Sequence, residues 1–183
     1  KQVVFPTDSL ELEKAIDSIK GKSFLIAGEN YDLDKIKAER ERINANLKER
    51  GYFYFGPDYL KIQVDSTVGK HQVDLLVKVK PETPKLARNV YRINDIVVYP
   101  NYSVSKEKTS TQADSIQRYH DFTIIDGEKT FNPRIFDRTL YFKKNDLYNR
   151  TNHNLSLNRL VNLGTFKFVK NQFFIANTTG NYL

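Results

Sequence analysis

The sequence predicts an α+β chain built from two similar small modules, and three observations carry that reading. Apolar residues recur at helical spacing in four short stretches, which marks amphipathic helices. Strict apolar/polar alternation runs through YLKIQVD (59–65) and HQVDLLVKVK (71–80), the pattern of half-buried strands. The halves also repeat. At an offset of 113, Leu47 matches Leu160, Gly51 matches Gly164, Phe53 matches Phe166 and Phe55 matches Phe168. Upstream, Tyr31 matches Tyr148 at an offset of 117, a difference of about one helical turn that keeps the apolar face in register.

The first half opens with a short apolar stretch, Val3-Val4-Phe5, followed by Pro6. Asp8 and Glu11 have capping-box spacing, and Leu12, Ala15, Ile16 and Ile19 mark a first helix ending near Gly21. From Asp32 to Arg50, Leu33, Ile36, Ile43 and Leu47 predict one buried helix face. Asp32 and Asp34 at its start and Lys48 and Arg50 at its end suit the helix dipole, and Gly51 fits a left-handed terminator. Four aromatics, Tyr52 to Phe55, are expected to begin the next strand, because aromatic residues favour strands. Leu60, Ile62 and Val64 then alternate with Lys61, Gln63 and Asp65; after a turn at Gly69, Val73, Leu75, Val77 and Val79 complete a β-hairpin. The order is strand, helix, helix, strand, strand.

Two prolines in PETPK (81–85) mark a boundary between modules. YRINDIVVY (91–99) reads as a strand with a bulge near Asn94 and Asp95, and the polar stretch from 100 to 120 as a long loop. DFTII (121–125) is a short strand. Asn132 and Pro133 open a helix carrying Ile135, Phe136 and Leu140. A second helix carries Leu157, Leu160 and Val161 and closes at Gly164, after which TFKFVKNQFFI (165–175) is expected to be a strand.

Composition bounds the chemistry. Among 183 residues there is no cysteine, so disulfides and thiolate metal sites are excluded. No apolar run approaches the length of a membrane-spanning helix. The net charge of +7 falls entirely within residues 84–183, while residues 1–83 carry equal numbers of acidic and basic side chains. Two readings of that excess stay open: a solvated basic face, or a surface for an anionic partner such as nucleic acid or lipid headgroups. His71, His120 and His153 are too far apart to make a metal-spaced pair. Lys20-Gly21-Lys22-Ser23 resembles the end of a phosphate loop, but the required upstream glycine is Ile16. No catalytic residue, metal ligand or cofactor motif emerges. GTFKFVKNQFF (164–174) interleaves aromatics with lysines in the manner of an RNA-binding sheet, and RNA binding is the alternative function to weigh. The matching strand of the neutral first half favours core packing instead.

The tandem strand–helix–helix–strand–strand order resembles the polypeptide-transport-associated (POTRA) domain. The resemblance rests on GENYDLDKIKAERERINANLKERGYFYF (28–55), IQVDSTVGKHQVDLLVKV (62–79), YRINDIVVYP (91–100) and KNDLYNRTNHNLSLNRLVNLGTFKFV (144–169). In wording these are similar to outer-membrane assembly proteins of the BamA/TamA surface-antigen type, with the TamA-like lipoprotein variant nearest. The resemblance implies two β-α-α-β-β modules, each a small three-stranded mixed sheet covered by two helices. It places one at 1–83 with a truncated first strand, and one at 86–183 with an inserted loop at 100–120 and a truncated last strand. It further implies a non-enzymatic, cofactor-free region on the periplasmic side of the bacterial outer membrane. Its partners would be unfolded β-barrel or exported client polypeptides, other subunits of the assembly machinery, the protein's own C-terminal β-barrel and an anionic membrane surface, with no nucleic acid. Clients would add as a strand to an exposed sheet edge. That edge is expected at Tyr59, Leu60, Lys61, Ile62, Gln63, Val64 and Asp65, with Lys61 and Asp65 guarding against unwanted pairing.

Overall fold

The computed structural model describes residues 2–6, 10–101, 116–127, 129–176 and 180–183, and the chain divides into two compact units, 1–90 and 91–183. Among the described residues both are α+β, each with a three-stranded mixed sheet and two α-helices. Asp8, half of the expected capping box, lies outside the described residues, as do 102–115.

The first unit runs β1 (Val3–Val4), α1 (Glu11–Asp17), α2 (Leu33–Glu49), β2 (Leu60–Asp65) and β3 (Asp74–Val79). Its sheet has the order β1–β3–β2, with β1 parallel and β2 antiparallel to the central β3. The Asp32 carboxylate caps α2 by accepting from the amides of Asp34 and Lys35, at 2.8 and 3.3 Å. Ile36, Ile43 and Leu47 are buried against Leu12, Ile16, Leu60 and Val77. Leu33, expected on the same face, is 52% exposed. At 3.6 residues per turn it lies about 40–80° away from the other three, in the first turn of the helix. Glu39 fills part of the buried face instead, with no exposure at all.

At the C-terminus of α2, Gly51 adopts φ 91° and the Tyr52 amide donates to the Leu47 carbonyl at 3.1 Å, closing a Schellman motif. The aromatics that follow are a turn and not the start of a strand. Phe53 donates to Gly51 and Phe55 to Tyr52, while the Tyr52 and Phe55 rings plug the core. Their apolar character serves burial at a helix end, and a single 3-10 turn at Pro57–Tyr59 delays the strand until Leu60.

The second unit contains β4 (Ile96–Val98), β5 (Ile116–Tyr119), β6 (Phe122–Ile125), α3 (Arg134–Thr139) and α4 (Arg150–Asn162). Its sheet order, β4–β6–β5, repeats the first: one parallel and one antiparallel neighbour flank the central strand. Here, however, all three paired strands precede the helices. The end of the expected 100–120 loop is β5, made a strand by its pairing with β6 across a tight turn at His120 (φ 49°). Four residues with one exposed isoleucine give too little alternation to announce themselves. Residues 91–93 bridge Leu147 on one side and Tyr182 on the other, and Asn94–Asp95 separate this bridge from β4. Asn132 accepts from the Arg134 amide at 3.0 Å to start α3, and Asn149 from the Asn152 amide at 2.9 Å to start α4. Phe122, Ile124, Phe136 and Leu160 form one buried cluster, with Phe166 and Val169 against it, and Tyr91, Ile93, Phe142 and Tyr148 are buried as well, whereas Val161 faces outward. Residues 165–175, expected as a strand, lie in no ladder among the described residues.

Candidate functional site

The seven residues singled out from sequence lie at the start of and along β2, an edge of the first sheet: β2 pairs with β3, and no other described strand pairs with it. The register sets which backbone groups face out. Leu60 lies opposite Val79, Ile62 opposite Val77 and Val64 opposite Leu75. The Lys80 amide donates to the Tyr59 carbonyl at 2.9 Å, so Tyr59 points its backbone groups into the ladder. Antiparallel pairing alternates from there, directing Lys61, Gln63 and Asp65 inward and Leu60, Ile62 and Val64 outward. The Leu75 amide agrees with this phase, since it turns away from β2 to donate to Gln2 in the first strand at 3.0 Å. Three residues thus offer main-chain donors and acceptors along the open edge.

The same three residues direct their side chains to the helix-covered face. Leu60 is buried, Ile62 half-buried and Val64 39% exposed at the far end. On the opposite face, Lys61 stands across from Lys78, and Lys78 donates to the Gln63 amide oxygen at 3.3 Å. Like charges opposite one another oppose pairing slightly and leave this face positive. Asp65 also has a local partner. Its carboxylate accepts from the Thr67 hydroxyl and amide at 2.7 and 2.9 Å, and those bonds hold it below the ordinary carboxylate range. It shapes the start of the hairpin turn.

Two buried or half-buried charges tie α2 to its neighbours, Arg40 to the segment entering β2 and Glu39 to residues 23–24. Arg40 donates to the Pro57 carbonyl at 2.8 and 3.1 Å and to Asp58 at 3.0 Å, tying the helix to the segment that enters β2. Glu39 accepts from both Arg42 nitrogens (2.6 and 2.8 Å), the Ser23 hydroxyl and the Phe24 amide (both 2.9 Å). Burial alone raises its pKa, but the bonds from Arg42, Phe24 and Ser23 outweigh that and hold it below the ordinary value. In the run AERERIN every charge has the appearance of a solvated helix face, so no sequence signal distinguished these two.

The remaining sequence candidates do not converge. His120 sits 3.1 Å from Asp137, and His153 lies among Phe142, Tyr148 and Phe173. No group of three or more metal-ligating side chains is found among the described residues. Lys20–Lys22 form a single 3-10 turn. Phe166 packs on Phe131 and Phe136, whereas Phe168 is 85% exposed, so the two rings share no stacking platform.

No protein-family model and no curated protein matches the sequence. Solved structures do. The chain is similar to the Haemophilus influenzae BamA POTRA3-5 crystal structure, with TM-score 0.51 and 16% identity over 99% of this chain and 56% of that one. It is also similar to BamA from Haemophilus ducreyi lacking POTRA domains 1-3, with TM-score 0.57 and 12% identity over 96% of this chain and 26% of that one. The chain therefore spans little more than half of one matched structure and about a quarter of the other. At these identities the likeness is one of architecture, and the architecture is the POTRA fold of BamA-like proteins.

Proposed function

We propose that this chain is a polypeptide-binding region of an outer-membrane protein assembly factor, made of two POTRA-type modules on the periplasmic side. It holds extended clients by strand addition at β2. The observation that carries this reading is the open edge, where Leu60, Ile62 and Val64 present backbone groups that only another strand can pair in succession. Main-chain pairing is tolerant of sequence, which suits many β-rich clients. The positive outer face at Lys61 and Lys78 favours strands carrying an acidic residue there. In this reading the chain binds and hands on polypeptide without catalysis. Its basic excess in residues 84–183 faces an anionic membrane surface, and a C-terminal β-barrel and other assembly subunits are its working partners.

Amide chemical-shift mapping with an extended peptide of alternating apolar and polar residues provides the test. Shifts clustered on 59–65 are expected. A cluster on the α2 surface around Arg40 and Glu49, with β2 unmoved, overturns strand addition.

A further inference from the structure

The helices of the second unit expose arginines that no described carboxylate neutralises. Along 150–162, α4 contains no acidic side chain, and Asp137, the acidic residue of α3, lies 3.1 Å from His120. Arg138 and Arg159 are exposed, and neither pairs with an acidic side chain among the described residues. They are also neighbours: the Arg159 Nη1 donates to the Arg138 carbonyl at 2.8 Å. The same guanidinium lies over the exposed Tyr141 ring, 5.0 Å from its centroid. Tyr141 is fixed in turn, because its amide donates to the buried Ser156 hydroxyl of α4 at 2.8 Å. A ring and a carbonyl thus hold Arg159 in one place, and its other N–H groups are available to a ligand.

Apolar side chains flank this arginine. Leu155 and Leu163 stand one turn before and one turn after Arg159, and they are 42% and 43% exposed. Side chains four apart form a ridge, and such ridges pack against a second helix. We propose that this ridge binds an acidic amphipathic helix of another polypeptide. The partner's carboxylates pair with Arg159 and Arg138, and its apolar side chains pack on Leu155, Leu163 and the Tyr141 ring. Charge complementarity selects this occupant. Two adjacent cations repel each other, and a carboxylate between them relieves that repulsion while matching the planar guanidinium fork. An arginine and a tyrosine already held in position lose little freedom on binding. A lipid surface fits this ridge less well, because the exposed Asn154 and Asn158 interrupt the apolar stripe that an interfacial helix immerses. The inference concerns the second unit and does not rest on strand addition at β2.

The test is fluorescence anisotropy of a labelled synthetic helix titrated with the whole 183-residue chain at physiological ionic strength. The peptide spans about four turns, with leucine at every fourth position and glutamates beside the leucines. Saturable binding is expected, weakened about tenfold or more by Arg159→Glu and by Arg138→Glu. Arg138→Glu keeps the backbone carbonyl that holds Arg159, so its effect reads charge and not local packing. Circular dichroism should show both variants folded. Lys22→Glu makes the same change of net charge in the first unit and should leave the affinity unchanged. A second peptide with lysines in place of the glutamates should bind the double variant Arg138→Glu/Arg159→Glu and not the unmodified chain. Failure of the acidic helix to bind overturns the proposal, as does binding that both arginine reversals leave intact or that Lys22→Glu weakens equally. Tighter binding to anionic phospholipid vesicles or to single-stranded RNA, lost in the same two variants, also overturns it and assigns the face to a membrane or a nucleic acid.

Discussion

Prolines at two neighbouring positions of β2 should have opposite consequences, because the register points their amides in opposite directions. Gln63 lies opposite Leu76 in a hydrogen-bonded position, so its amide serves the ladder to β3. Gln63→Pro removes that bond, leaves the Leu76 carbonyl without its donor, and forces the proline ring against the neighbouring strand. A lost bond of about 1 kcal/mol and an unsatisfied buried acceptor of about 1–3 kcal/mol add to roughly 2–4 kcal/mol. Val64 points its amide to the open edge, and its side chain is already 39% exposed. Val64→Pro therefore sacrifices no ladder bond and should cost about 1 kcal/mol, mostly from lost packing and backbone fit. Urea denaturation separates the two by their midpoints, and peptide titration adds a second readout. Val64→Pro should remain folded yet lose affinity for an extended peptide, since one outward donor is gone. Equal destabilisation by the two prolines would show that the inferred phase of the ladder is wrong. A folded Val64→Pro chain with unchanged peptide affinity would remove β2 as the docking edge.

Three further outcomes follow from the core and its charges. Leu47 is fully buried between the helices and the sheet, and Leu47→Ala should cost about 2–5 kcal/mol in the same denaturation assay; a change below about 0.5 kcal/mol would place that face outside the core. Glu39 has a folded pKa below its unfolded value, so its contribution is present above about pH 4.3 and is lost as pH falls through the lower, folded value. Acid titration of Glu39→Gln should accordingly show a lower plateau at neutral pH and a shallower acid decline; an identical decline would mean that the carboxylate network carries no pH-dependent stability. His153 is held below its ordinary pKa, first by burial and then by the charge of Arg150. The unfolded chain takes up this proton first, so stability should fall as pH drops through about 6.5 and level off below the folded value. Histidine shifts followed by NMR should show His153 titrating below the ordinary histidine range, and a normal midpoint would remove it from the aromatic cluster.

What the sequence determined by itself is local. Asp32, Gly51, Asn132 and Asn149 announce helix ends through short-range bonds and a left-handed φ, which neighbouring residues settle without the rest of the chain. The alternation of 59–65 and 71–79 declared a hairpin because adjacent strands need only a turn between them. Tertiary structure decided everything that depends on which distant surfaces meet. Tyr52 to Phe55 have strand-forming side chains, yet their rings satisfy burial from a turn, because the core beneath α2 had room for Tyr52 and Phe55 there. Glu39 reads as a wet residue, and only the arrival of Ser23, Phe24 and Arg42 makes its burial tolerable. Residues 116–119 become a strand because β6 lies beside them, whatever their weak alternation. The candidate edge divides along the same line. Period-two patterning revealed which side chains of β2 turn inward, but the phase of its backbone hydrogen bonds belongs to the partner strand, and it is that phase which makes Leu60, Ile62 and Val64 the residues that meet an incoming chain.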